Sequence, residues 1–527
     1  MNRGRASGAD PRRIAPVLLA GVLAAAYVIV SPPSGDLAAH MLRAKLFATE
    51  GFGIWNNWWY AGHHVLLYSV LFPPLAAALT PQLVAAIAAT GSAALFEPLA
   101  RRHFGEQAWL GSLWFAAATA TSLYTGRLTF AFGMLPAVAA VLALQRGRPW
   151  LAALLAFLTA LSSPVAAVFA ALAGAAAAIA ALAAERRIRP ALPGAGVVLA
   201  ALLPIVALAV AFPEGGTEPF VFSAFWPLPL LAIGLAVLIP RYERALLAGA
   251  ALYTVAVIVS YAVPSALGSN AARLAELLVG PLAALILWPR RKALLVAVAV
   301  PLLYLQWHAP IGDLATAGGP STTNAYYRPL LAFLDRQPGP PFRVEIAFTK
   351  FHWEAYAVAP QFPLARGWER QLDIKYDHLF YERGLTPASY ERWLHSVAVR
   401  FVALPDAPLD YSALAERTLI ERGLPYLRLV RSTRHWRIYA VADATPIVQG
   451  AATLRALGPN SLTLHADHPG DVLVRVHFTP YWAITEGSGC VAPAGQFTRL
   501  TLRRAGPVRV TISFSLGRIG ARSPRCT

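Results

Sequence analysis

The stretch 65–80, VLLYSVLFPPLAAALT, decides how this chain threads a bilayer. It is apolar along its whole length, yet Pro73 and Pro74 stand in its middle, where a continuous helix would lose a backbone hydrogen bond and clash with its preceding turn. Eleven other apolar runs lie at about 14–31, 82–100, 107–122, 128–144, 149–163, 165–183, 191–212, 223–240, 244–263, 273–288 and 292–307. Several reach the roughly 18–20 residues that cross a bilayer as a helix. The links ARRHFGEQ (100–107), QRGRP (145–149), ERRIRP (185–190), PRYER (240–244) and PRRK (289–292) are basic. The links TGR (125–127), SSP (162–164), PEGGTEP (213–219) and PSALGSNAAR (264–273) carry at most one arginine. Cationic loops stay in the cytoplasm. With the N-terminal arginines inside, every basic link falls inside only if 65–80 is not a span. It is read as a half-inserted or membrane-surface helix on the outer side, its freed backbone groups facing protein. Residues 32–81 then form one large outer loop.

Composition fits this threading. The chain has 527 residues, is 57% hydrophobic and 14% charged, and has a mean hydropathy of +0.51, which describes a polytopic membrane protein rather than a soluble globule. Much of the net charge of +18 sits in the short arginine clusters, so it sets orientation and does not mark nucleic acid as a partner. The N-terminal MNRGRASGADPRRIAPVLLAGVLAAAYVIV resembles a signal peptide but is long enough to read as an uncleaved first span. The expected organisation is a cytoplasmic N-terminus at 1–13, a transmembrane domain at 14–308 with about 11 helices, and an outer C-terminal part.

After His308 long apolar runs stop. PFRVEIAF, VRFVALP, PYLRLVRS and HWRIYAV read as strands and PASYERWLHSVA as a helix, giving an extracytoplasmic α/β domain over 309–442. SLTLHAD, DVLVRVHFTPYWAI, FTRLTLRR and VRVTISFS are short alternating strands, expected to form a β-sandwich over 443–527. Cys490 and Cys526 bracket its last strands and face an oxidising compartment on this topology; a disulfide and two free thiols are both compatible with the sequence.

The outer loop carries the candidate chemistry. In GDLAAHMLRAKLFATEG, helical spacing places Leu37, Met41, Ala44 and Ala48 on one stripe and Asp36, His40 and Arg43 on another, as on a helix lying at the membrane surface. Asp36 fits a general base towards a hydroxyl or a ligand of a divalent metal, and equally a helix N-cap. Arg43, Lys45, His63, His64, Arg127 and Arg273 are cations or imidazoles suited to neutralising a phosphate. Asn270 lies in the last outer link beside Arg273 and joins the substrate-binding candidates. Trp55, Trp58, Trp59 and Tyr60 suit a platform for a sugar ring or an interfacial aromatic belt. Glu218 is a candidate second acid, while it and Glu214 also read as solvated loop residues. Glu97, inside a span near its basic end, calls for a partner such as Arg101.

These residues also carry a resemblance. An acidic residue soon after the first span, then WNNWWYAGHH and LFPPL, then many spans and an outer C-terminal domain, is similar to the GT-C superfamily of membrane glycosyltransferases. The loop pattern Asp36, His40, Trp58, Gly62 and Phe72-Pro73-Pro74-Leu75 further resembles bacterial membrane proteins described as related to 6-pyruvoyl-tetrahydropterin synthase, as do GRLTFAFG (126–133) and LSSPVAAVF (161–169). The resemblance implies a polyprenyl-phosphate-linked sugar donor, an envelope glycan or lipid acceptor, and Asp36 as the catalytic or metal-binding acid. Many GT-C members have an acidic pair in this loop; here Leu37 follows Asp36 and the next acid is Glu50, which leaves the metal open.

The expectation is therefore a glycosyltransferase at the outer face of a bacterial inner membrane, in contact with membrane lipid, with Asp36 as base, His40 orienting it or binding phosphate, and a divalent cation as a candidate cofactor. A non-catalytic envelope scaffold or glycan-binding protein is the alternative. A transporter is less consistent with spans nearly free of interior charge. No P-loop, GxSxG, HExxH or CxxC occurs, and there is no internal repeat.

Overall fold

A computed structural model of the chain describes residues 10–382 and 384–527. The basic head at 1–9, expected to be cytoplasmic, lies outside the described residues. The chain divides into two units. The first comprises the chain up to Leu37, Tyr68–Ala207 and Thr217–Ala317; the second comprises Ala38–Leu67, Leu208–Gly216 and Gly318–Thr527.

The first unit is helical, and each of the eleven apolar runs is helical over most of its length, the run at 191–212 ending in the second unit. Eight helical segments are long and apolar enough to cross a membrane, one of them the 44-residue Pro81–Tyr124. Pro149–Ser162 and Phe222–Leu238 are apolar but shorter, so length alone shows a multi-pass protein and not a count of eleven spans. Proline marks helix starts, where its missing N–H costs nothing: Thr80 caps the helix begun by Pro81, accepting from Leu83 N at 3.2 Å, and Ser163 caps the helix begun by Pro164. Small residues let helices approach closely. A Cβ on Gly174 would lie 2.8 Å from Gly194 O, and one on Gly194 only 2.4 Å from Gly174 O.

The deciding stretch 65–80 is helical only over Phe72–Leu79, eight residues, too few to cross a bilayer. Pro73 and Pro74 lie in the first turn of this helix rather than in its middle. Before it, Val70 N and Leu71 N both donate to Leu161 O at 2.8 and 3.0 Å, so these backbone groups are satisfied by protein.

The second unit has two cores. A four-stranded sheet runs in the order Arg343–Ile346, Val399–Pro405, Trp436–Val441, Leu427–Ser432, its first pair parallel and the others antiparallel. Helices Asn324–Leu334, Pro387–Ser396 and Leu414–Arg422 bury Leu330, Leu394 and Ile420 in its core. The second core lies in a β-sandwich. One sheet orders Arg525–Cys526, Gly489–Ala494, Phe497–Leu502, Gly470–His477, Val448–Gly450; the other orders Trp482–Glu486, Gly506–Ile512, Ser461–Ala466, Ala452–Leu457. Alternating Val472, Val474, Leu500, Leu464, Val508 and Val510 fill it. Cys490 and Cys526 face each other across the first strand pair and are disulfide-bonded.

Helix Leu37–Glu50 differs from the expected membrane-surface helix. It buries Ala39, Leu42 and Leu46 in the α/β core, while Ala48, expected on the apolar stripe, is exposed. The packing surface is protein, and it selects Leu42 and Leu46 in place of Met41 and Ala48.

Candidate functional site

In the first unit, Asp36 immediately precedes helix Leu37–Glu50 and is partly buried. Its approach to the turn Thr125-Gly126-Arg127 is set by backbone. Gly126 has φ +73°, and a Cβ there would lie 2.2 Å from Ser34 Oγ and 3.4 Å from Asp36 N. Only glycine fits this turn on both counts. Arg127, next along, forms an ion pair with Glu276. Burial alone would lower the Arg127 pKa; Glu276, then Asp36 and Asp313, outweigh it and hold the guanidinium above its ordinary value.

Arg273, one turn before Glu276, lies within the fields of Arg127, Tyr68, Asp36 and Glu218, and its guanidinium sits 5.7 Å from the centre of the Phe130 ring. Glu218 accepts from Ser269 Oγ at 2.9 Å and its backbone N–H donates to Ser265 O at 2.9 Å. Gly268 makes this possible: a Cβ there would lie 2.0 Å from Glu218 O. Asn270, in the same short turn, is buried and donates from Nδ2 to Ala266 O at 3.3 Å. The structure thus gathers Asp36, Arg127, Arg273 and Glu218, and adds Glu276, Asp313 and Tyr68, which the sequence reading missed. Glu276 had a signal, an acid three residues after Arg273 inside an apolar run.

The remaining candidates lie in the second unit and are packed inside it. His40 is 0% exposed, and Arg43 is buried and ion-paired with Glu369. Asp36, in the first unit, stands immediately before the helix, and His40, in the second, lies within it. Trp55–Asn56 pairs with His63–His64 as a two-stranded ribbon, closed by Tyr60, Ala61 and Gly62 at φ +55°, +58° and +104°.

The tryptophans of this segment enter both cores. Trp55 enters the sandwich and Trp59 the α/β core, where its Nε1 donates to Ala355 O at 3.1 Å. Gly62 and Gly367 clear the space, since a Cβ would lie 2.6 Å from the Trp55 ring and 2.3 Å from the Trp59 ring. Trp58 is buried in the α/β core as well, and Tyr60 OH accepts from Glu369 N at 2.9 Å and donates to Glu369 O at 3.2 Å. These rings are core anchors in place of the expected open sugar platform, because their faces are covered by protein.

His63 stacks on Trp59, and burial lowers its pKa. His64 binds Glu214, with Nδ1 2.9 Å from Oε1, and its Nε2 lies 3.0 Å from Thr479 Oγ1. Glu214 differs from the expected solvated loop residue: it is 6% exposed. Tyr376 OH donates to its Oε2 at 2.7 Å, and Lys375 Nζ lies 3.6 Å from the same atom. Burial opposes its charge, yet His64, His63 and Lys375 hold the carboxyl down at about 2. Glu97 pairs with Arg101 in the first unit, as its depth in the span required.

Among the described residues no group of three His, Cys, Asp or Glu side chains is placed to hold a metal ion. In the Asp36 cluster Glu276 is committed to Arg127 and Glu218 to Ser269, so the donors present do not form such a set.

No family model matches the chain, and no curated protein matches it. Among solved structures, the arabinofuranosyltransferase AftD from Mycobacteria, in a mutant form, aligns at 14% identity and a TM-score of 0.43, covering 98% of this chain and 61% of that one. The archaeal oligosaccharyltransferase AglB from Archaeoglobus fulgidus aligns at 12% identity and a TM-score of 0.36, covering 75% of this chain and 69% of that one. The chain spans about three fifths of the AftD chain it matches.

Proposed function

We propose that this chain is a GT-C-like glycosyltransferase of a bacterial inner membrane, threaded by eleven helices with its C-terminal part outside, that moves a sugar from a polyprenyl-phosphate donor to an envelope acceptor. The observation that carries the reading is the charged cluster of the first unit, in which Asp36 is set by backbone contact against the turn that bears Arg127. In the proposed step the Asp36 carboxylate takes the proton of an acceptor hydroxyl. The hydroxyl oxygen forms a bond to the anomeric carbon, and the bond from that carbon to the phosphate oxygen breaks. Arg127 and Arg273 balance the charge on the departing phosphate. Glu276 holds Arg127 in place, and Glu218 orders the turn Gly268–Ala271 that precedes Arg273.

A specific observation favours a second reading, a non-catalytic scaffold or glycan-binding protein. Seven residues expected around the substrate, His40, Arg43, Trp58, Trp59, Tyr60, His63 and His64, are buried in the second unit, which leaves fewer groups for donor and acceptor. Deleting the gene and profiling envelope glycans together with polyprenyl-phosphate sugars separates the two. The transferase reading expects a missing glycan and an accumulated lipid-linked sugar, both reversed by the restored gene. A missing glycan with no accumulated donor supports the scaffold.

A further inference from the structure

We propose that the outer edge of strand Leu427–Ser432, with Arg428, Arg431 and Arg434, docks an extended anionic polysaccharide. The edge is open: among the described residues this strand pairs only with Trp436–Val441. From 422 to 442 the chain carries five arginines and no acid. Of the neighbouring acids Glu421 and Asp406 are already engaged, while Asp443, directly after this stretch, is exposed. Glu421 accepts from Arg417 at 3.2 Å and Arg437 at 2.7 Å, and Asp406 is shared by His435 and Tyr326. Arg428, Arg431 and Arg434 are exposed, and no ion pair among the described residues engages them.

Charge on an edge strand is often only a guard against pairing with another chain. Here the arginines continue beyond the strand to Arg434 in the turn, where there is no edge to guard. Two residues separate Arg428 from Arg431, and a bulge between Leu429 and Arg431 keeps the two within about 10 Å along the strand. Such a ladder meets a polymer with repeated carboxylates or phosphates, and guanidinium takes either in bidentate fashion. Leu429, 52% exposed and opposite Tyr439 in the register, lies on the other face of the strand from Arg428, so a chain laid along the edge meets cations on one side and an apolar, aromatic strip for the C–H face of a pyranose on the other. A membrane surface is a poorer fit, because surface binding needs a broad apolar face to insert and this edge offers one leucine.

The inference does not depend on the transferase reading, since binding is measured without donor. The full chain, reconstituted in nanodiscs of neutral lipid, is titrated over immobilised polygalacturonate, with dextran as the uncharged control. Wild type binds polygalacturonate and not dextran, and added salt weakens it. The variant Arg428→Gln/Arg431→Gln/Arg434→Gln, with an unchanged melting temperature, binds about tenfold more weakly. Variant affinity within about twofold of wild type overturns the site. Poly-glutamate, or vesicles of phosphatidylglycerol, competing as well as free polygalacturonate overturns the glycan assignment in favour of an acidic peptide or a lipid surface.

Discussion

Replacing Glu214 with glutamine tests the electrostatics of the second unit. The carboxyl is held at about 2, against an ordinary 4.5, by His64, His63 and Lys375 in spite of its burial. A depressed carboxyl stabilises the fold fully above its unfolded pKa and loses that contribution as pH falls through the folded one. The difference of about 2.5 units corresponds to about 3 kcal/mol, of which about 2 kcal/mol is gone at pH 3. Glu214→Gln keeps the shape and removes the titration. The assay is denaturant unfolding of the purified chain followed by tryptophan fluorescence, which reports this unit through the buried Trp55, Trp59, Trp436 and Trp482. Wild type exceeds the variant by a margin that is constant between about pH 6 and pH 7 and shrinks by about 2 kcal/mol on going to pH 3. A margin independent of pH over that window refutes the ion pairing around Glu214, whatever its size.

Three further outcomes follow from particular contacts. Gly126→Ala places a side chain at φ +73° and against Ser34 Oγ, so it destabilises by at least about 1–2 kcal/mol from the backbone alone and disturbs Asp36; Ser34→Gly in the same chain removes the steric part, and a double variant no better than Gly126→Ala in thermal stability contradicts the contact. Glu345, Asp377 and Glu416 are buried around Arg366, and burial pushes their carboxyls up, so the folded cluster keeps protons that the unfolded chain releases; its contribution is greatest in acid and is lost as pH rises, and Glu345→Gln flattens that loss between about pH 5 and pH 8 unless the cluster is wrongly described. Cys490→Ser/Cys526→Ser opens a link across a sequence separation of 36 and costs about 4 kcal/mol of sandwich stability by loop entropy, so an unchanged unfolding midpoint would show that the terminal strand stays paired without it.

The membrane helices were legible because each depends on a local run of apolar residues, and the C-terminal strands because period-two alternation is local too. The Glu97–Arg101 pair was legible for the same reason, being one turn apart. The fate of the outer loop was not. Trp59 is fixed by Ala355 and Gly367, and Asn57 by the backbone carbonyls of Gly458 and Pro459, some 300 to 400 residues along the chain. An aromatic cluster beside a span has the same composition whether it meets head groups, a sugar or the core of a distant unit. Glu214 in PEGGTEP reads as solvated because its partners His64, Lys375 and Tyr376 are equally remote. Glu276 is different: its position inside an apolar run was visible, and its pairing with Arg127 is the kind of partner such an acid needs.

The central claim rests on Asp36 as the proton acceptor, and one comparison tests it most directly. Cells lacking the gene are restored with wild type or with Asp36→Asn at matched membrane levels, and the envelope glycan and its lipid-linked donor are measured together. Asparagine keeps the size and helix-capping ability of the side chain and loses the base. The account predicts that Asp36→Asn leaves the glycan missing and the donor unused, while wild type restores both. Full restoration of the glycan by Asp36→Asn contradicts it, and reduces Asp36 to the cap of the helix that follows.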